Sequence, residues 1–400
     1  MSLIKSNSVL LAFDNSYLSD NEEFNFLPFI QSAKLSTKIQ NIDKKFIGTQ
    51  DELSHQFLPP EVSLDISYIQ RDDFYNEKIF GFAVNDYESQ PVSILAILSQ
   101  NEFNNKNAFL LTTPELIDLI TTISASSFDT SMIAMSFGNL YLNSYSFAYS
   151  NGQLPVVSAS FVSNKLKVSN LTTNNSIYYI QNWDGKSIAI KRKKIDYLYS
   201  LSDQSVYNNI IYRMDYLSLD SSLNNASIPL TSLNSFSNGV ISSMSFSLNI
   251  NRNNFYSFEG NLSEQPIRKL SLPVVGNLTI TGLVDNFNNS NLDLLYSNLN
   301  LFSMSITIGD QNMEVDANIH KLIFDNLRID SFEYSTTINE RIQYTMQCTF
   351  KITENSGLRI AKIKSFDKVF FGVESLDHIG VRSSESTDLA TIVDDMDDGY

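Results

Sequence analysis

Asp72, Asp73 and Glu77 come nearest, in type and spacing, to a catalytic carboxylate pair in this chain. Two carboxylates on either side of a glycosidic bond supply the acid and the base or nucleophile of sugar hydrolysis. Three acids just after a strand-like run also make an ordinary solvated turn, and that is the reading adopted here. His55, His320 and His378 are far apart, and none has the HExxH or CxxH setting that would hold a metal. Cys348 is the one cysteine, so no disulfide closes within the chain, and no histidine motif accompanies it to make a thiol nucleophile. It stands at an inward position of an alternating strand, which assigns it to the core. No glycine-rich phosphate loop and no GxSxG elbow occurs. Asp394, Asp395, Asp397 and Asp398 lack the order and closing Glu of a calcium loop, and Gly399 comes too late for its turn. The basic run Lys191-Arg192-Lys193-Lys194 suits a solvated strand edge or a contact between subunits. No catalysis, cofactor or metal is expected.

Composition points the same way. The 400 residues suffice for two or three domains, and the net charge of −16 argues against a protein that grips nucleic acid by its phosphates. That charge is compatible with a surface that repels DNA, or simply with solubility. Charged residues make up 18% of the chain, below the usual level of about 25%, and Asn and Ser fill the polar positions instead. Phe (27) and Tyr (19) favour strands, and with only 14 Gly, Asn is expected to take many left-handed turn positions. The apolar run Val9–Phe13 is too short for a secretory signal, and no window approaches the roughly 20 apolar residues of a membrane helix. Synthesis in the cytoplasm is expected.

The elements that carry these residues are written twice. Leu140–Tyr149 alternates at Leu140 and Leu142, then slips by one to Tyr145, Phe147 and Tyr149. Leu327–Tyr334 alternates at Leu327 and Ile329, then slips at the same place to Phe332 and Tyr334. A one-residue slip in a period-2 pattern is the signature of a β-bulge. Upstream, Ala33, Leu35, Thr37 and Ile39 match Met244, Phe246, Leu248 and Ile250, 211 positions on. Pro60 and the strand through Ile66 match Pro273 and the strand through Ile280; Asn76–Phe80 matches Asn291–Leu295, and Val92–Ile94 matches Met304–Ile306. The bulged strands are only 187 positions apart, so the first copy holds about 25 extra residues, read as a helix at 114–123 capped by Thr113 and opened by Pro114. Matching Phe161 to Phe350 makes the final hairpin loop two residues longer in the second copy.

The expected fold is all-β, with two tandem β-sandwich or tube-type domains and short helices. The boundaries are 1–165, with an N-terminal arm; 166–238, an intervening segment with a hairpin at Ile177–Ile190 turning at Trp183-Asp184-Gly185; 239–352; and 353–400, an extension with strands at Leu358–Ile363 and Val369–Val373. The acidic tail from Ser383 is expected to be mobile, or ordered only in an assembly. Two long loops carry apolar residues, Phe46, Ile47 and Phe57 in one copy and Phe255, Tyr256 and Phe258 in the other. They either fold back on their own domain or dock on a neighbouring subunit.

Arg252-Asn-Asn-Phe255-Tyr256, followed by Arg268-Lys-Leu270-Ser-Leu272-Pro273-Val-Val and an alternating strand, resembles the tail tube (major tail) proteins of long-tailed bacteriophages. The closest variant joins two tube domains in one chain, and Asp43-Lys-Lys-Phe46-Ile47-Gly48 with Leu58-Pro-Pro60-Glu-Val62 gives a weaker version. The resemblance spans residues 30–165 and 240–352; the helix at 114–123, the intervening segment and the acidic tail depart from it. It implies a structural virion protein, assembled in the host cytoplasm, whose chains form trimeric rings stacked into a tail tube through the six loop residues named above. It also implies other phage tail proteins as partners, transient sequence-independent passage of DNA, and no membrane. A tail-tip, baseplate or neck ring protein, or a carbohydrate-binding adhesin, is the alternative.

Overall fold

The computed structural model describes residues 9–14, 24–27, 29–38, 41–44, 54–57, 61–70, 74–86, 92–96, 106–112, 133–150, 153–170, 172–174, 177–181, 185, 187–190, 212–218, 240–255, 267–283, 302–310, 319–336 and 342–363. The fold is all-β. The first strands are β1 (Val9–Asp14), β2 (Phe24–Leu27), β3 (Ile30–Lys38), β4 (Asn41–Lys44), β5 (Ser54–Phe57) and β6 (Glu61–Ile69). The short helix α1 (Tyr75–Phe80) follows, then β7 (Val84–Asn85), β8 (Lys106–Thr112), β9 (Ile133–Ser150), β10 (Val156–Ser163) and β11 (Lys165–Asn170). The middle of the chain adds β12 (Thr172–Asn174), β13 (Ile177–Gln181), β14 (Ser187–Ile190) and β15 (Tyr212–Ser218). The last strands are β16 (Val240–Asn249), β17 (Arg252–Phe255), β18 (Ile267–Leu270), β19 (Val274–Leu283), β20 (Phe302–Asp310), β21 (Ile319–Ser335), β22 (Gln343–Ile352) and β23 (Leu358–Ile363).

One central sheet runs through the molecule in the order β21-β22-β19-β16-β9-β10-β6-β3. Its two groups, β3-β6-β10-β9 and β16-β19-β22-β21, have the same chain path and the same register. Leu35, Leu64, Phe161 and Leu142 lie in one row across the first group. Phe246, Leu278, Cys348 and Ile329 lie in the matching row of the second. The long strands β9 and β21 each serve two layers, the second half pairing in the central sheet and the first half in a back sheet, with β8 and β11 or with β20 and β23. The change of layer is made with the same devices. Asn139 and Asn326 take the left-handed conformation (φ 53° and 59°), which Asn tolerates better than most residues. Asn143 and Asp330 are the bulged residues that the ladders skip. The slip read from sequence is this bulge.

Two sequence matches are corrected by the registers. Gln343 faces Ser335 and Val156 faces Ala148, so the two final hairpin loops are equal in length. Phe350 corresponds to Ser163, not to Phe161. The cause is an exchange of bulk between neighbouring strands: Ser163 lies beside Val62, whereas Phe350 lies beside Gly276. A Cβ on Gly276 would come within 2.3 Å of the Phe350 ring. Val157 beside Tyr68 and Tyr344 beside Gly282 repeat the exchange six residues back along β10 and β22. Val92–Ile94 is not the counterpart of Met304–Ile306: it lies outside any strand, and β8 holds that place beside β9. The helix at 114–123, Asn291–Leu295, Lys191–Lys194, Val369–Val373 and the acidic tail lie outside the described residues, whereas the β13–β14 hairpin and β23 fall where the sequence placed them.

A single apolar cluster fills the space behind the central sheet and continues from one group into the other. The other face is mostly hydroxyl and amide, with Val156 and Val275 exposed among them. One row reads Ser32, Ser67, Ser158, Ser146, Ser247, Asn277, Thr349, Arg328. The charges on this face, Lys34, Lys38, Arg328 and Lys351 against Glu61, Asp65, Asp330 and Glu333, balance. No helix is long and apolar enough to cross a membrane among the described residues.

Candidate functional site

The two groups meet along β9 and β16, and the contact is made of alternating residues from both. On the inner side Phe147 stacks on Phe246 at 5.4 Å and 19°. Tyr145 lies beside Leu248 and Tyr149 beside Met244, all five per cent exposed or less. On the outer side Ser146 faces Ser247 and Ser144 faces Asn249. Each buried aromatic or aliphatic side chain here is worth about 1.5–3 kcal/mol, so the seam is a genuine piece of core rather than a surface contact. The halves are fastened again behind the sheet. There β7 adds to β23 in parallel, and Ser93 and Ile94 donate their backbone N–H groups to Glu354 and Leu358.

The outermost strands of the sheet are the counterparts of the two that form this seam. β3 corresponds to β16, and residues 331–335 of β21 correspond to residues 144–148 of β9. Among the described residues no strand lies beyond either. Burial differs accordingly. Met244, Phe246 and Leu248 are buried, while Ala33 and Leu35 are half-buried and Thr37 is exposed. Tyr145 and Phe147 are buried, while Phe332 and Tyr334 are half-buried. Phe332 stacks on Tyr344 at 5.7 Å and meets Tyr334 edge-on at 4.8 Å, so an aromatic platform stands at this edge. Partial burial pushes the Tyr334 phenol above its ordinary pKa.

The long loops begin as two-stranded ladders, β4 with β5 and β17 with β18, rising between adjacent strands of the central sheet. Phe57 and Phe255 lie at ladder ends, Phe57 opposite Asn41 and Phe255 opposite Ile267. Phe46, Ile47, Tyr256 and Phe258 lie outside the described residues. The base of the second ladder is clamped to the first group. Arg252 and Arg268 place their guanidinium groups 5.1 and 5.8 Å from the ring centre of Tyr141. Arg268 also donates to Asn164 Oδ1 at 2.6 Å. Both arginines stand in the motif that carries the family resemblance; their distant partners on β9 and after β10 gave no sequence signal.

Glu77 is not part of a solvated turn. It is fully buried on α1, and Asp72 and Asp73 lie outside the described residues. Tyr68 donates its hydroxyl to Glu77 Oε1, Tyr145 donates to the same oxygen at 2.9 Å, and Gln70 Nε2 donates to Oε2 at 3.0 Å. Burial pushes the Glu77 carboxyl above the usual carboxylate range, against those hydrogen bonds, and pushes both phenols well above theirs. With three donors around one acid and no second carboxylate in the set, the arrangement ties α1 to β6 and β9. Cys348 is in the core, as read from sequence, its thiol pushed by burial up to about 12. Among the described residues no three His, Cys, Asp or Glu side chains gather as a metal site.

No family model and no curated protein matches the chain. A solved structure, a chain from the tail of an empty GTA particle reconstructed with helical refinement and C6 symmetry, is similar at 11% identity and a TM-score of 0.23, covering 41% of this chain and 96% of its own.

Proposed function

We propose that this chain is a structural subunit of a phage-type tail that assembles with copies of itself into rings, stacked as the tail tube. The observation that supports the reading is the central sheet. Two modules with the same strand order, register and bulge stand edge to edge, which is the arrangement a tandem duplication leaves when the module's natural neighbour is another module. In this reading the modules are residues 1–165 and 239–352, joined by 166–238 and followed by 353–400. The ladders β4–β5 and β17–β18 stand at one margin of the sheet, and in this reading the loops they begin meet a ring above. Three chains then supply six modules, and the chain performs no catalysis. The test is electron microscopy and sedimentation of the purified chain. Rings or tubes are expected, with charge replacement at Phe255 and Tyr256 leaving rings that do not stack. A chain that stays monomeric at high concentration ends the proposal.

A further inference from the structure

We infer that β3 of one chain pairs with residues 331–336, the end of β21 and the residue after it, in a second copy, antiparallel, in the register that β16 and β9 use within one chain. The inference rests on the assembly reading above and names its contact. Transferring the internal register places Leu35 opposite Tyr334, Thr37 opposite Phe332 and Ala33 opposite Thr336 on the inner side. It places Ser36 opposite Glu333, Lys38 opposite Ser331 and Lys34 opposite Ser335 on the outer side.

Three independent features fit that register. The apolar residues left half-exposed at the two edges are the counterparts of those buried in the seam, so pairing completes the same core. Glu333 falls diagonally between Lys34 and Lys38, at the roughly 7–8 Å diagonal spacing that long side chains bridge. A shift of one residue turns the apolar set to the outer face, and a shift of two departs from the register of the internal seam. Strand addition also covers two strand edges, which removes a hazard that exposed strands otherwise carry.

The contact is head-to-tail, because β3 and β21 are at opposite ends of the sheet. It therefore propagates from chain to chain until a ring closes. It also makes cross-linking diagnostic. Ser36 and Glu333 of one chain are separated by the width of the eight-stranded sheet, seven spacings of about 4.8 Å. A disulfide needs Cβ atoms about 4 Å apart, so a bond between these positions has to join two molecules.

The experiment is mild oxidation of the assembled double variant S36C/E333C. Covalent multimers on a non-reducing gel are expected, with the displaced pair S36C/S335C and the single variants giving few. A charge series checks the same register without new bonds: E333K raises the concentration needed for assembly about tenfold, and K34E/K38E/E333K restores it. All of these positions are on the exposed face, and circular dichroism confirms the fold of each variant. If chains assemble while S36C/E333C forms no multimers, or the displaced pair links as fast, this contact is wrong and the assembly reading stands. If the chain never assembles, both fail. If the alternate amides of residues 33–38 that point away from β6 are already protected from exchange in the isolated chain, another segment of the same chain occupies the edge and the inference is overturned.

Discussion

The exchange of bulk between Ser163 beside Val62 and Phe350 beside Gly276 can be reversed by mutation, and the energetics follow from the packing. Phe350 is buried to 1% exposure and meets Phe324 edge-on at 5.3 Å. Truncating it to Ala removes a ring from a dense core and is expected to cost about 3–5 kcal/mol. Gly276→Val alone drives a side chain into that ring, with the nearest approach of a new Cβ at 2.3 Å and Leu248 also within 2.9 Å, at about 1–3 kcal/mol for overpacking. In the double variant the introduced valine occupies space the ring has vacated, as Val62 does beside Ser163. The two costs then offset each other, and the coupling is at least about 1 kcal/mol, in the range found for residues in contact. Urea denaturation of the four chains under two-state conditions measures it. Additivity within about 0.5 kcal/mol would show that the two groups are not packed on a common plan, and the correspondence of their registers would lose its energetic meaning.

Glu77 gives a pH signature. Its folded pKa is raised above the unfolded value, so between the two the folded chain keeps a proton that the unfolded chain has released. Stability is greatest below the ordinary carboxyl range and declines as pH climbs through the raised folded value. Glu77→Gln, with the Gln70 amide turned to accept, is expected to flatten that decline above the ordinary carboxyl range; parallel curves would count against it. Cys348 is expected to resist alkylation by iodoacetamide in the native chain and to react on unfolding; rapid native labelling would contradict its burial. Arg268→Ala is expected to loosen the second ladder by about 1–2 kcal/mol through loss of Tyr141 and Asn164, read as faster amide exchange at residues 252–255 and 267–270. Arg359→Ala strands the Asp325 carboxylate that it holds at 2.9 Å behind the sheet, at about 3–5 kcal/mol in thermal or urea unfolding.

What could be read from sequence was whatever leaves a phase. The slips at Asn143 and Asp330 were legible because one extra residue inverts the alternation of everything after it. The two-residue error at Phe350 was not avoidable in the same way, since alternation looks identical after a shift of two. Bulk had moved sideways from β10 onto β6 in one group and from β19 onto β22 in the other, and only the registers show such lateral exchange. Glu77 was misplaced because a charged letter suggests water. Its partners Tyr68 and Gln70 are near in sequence, but Tyr145 is 68 positions away. Two tyrosines at inward strand positions were the available hint. The segments read as long loops begin as the ladders β4–β5 and β17–β18, which the sequence did not announce, and four of the six apolar residues read from sequence lie outside the described residues.

Short hydroxyl and amide side chains exchange hydrogen bonds with water readily and hold a thin mobile solvent film over the open side of the sheet. Where such sheets line a channel, a passing polyanion finds no row of cations to grip it and no wall of acids to slow its entry. Its transit would then vary little with ionic strength.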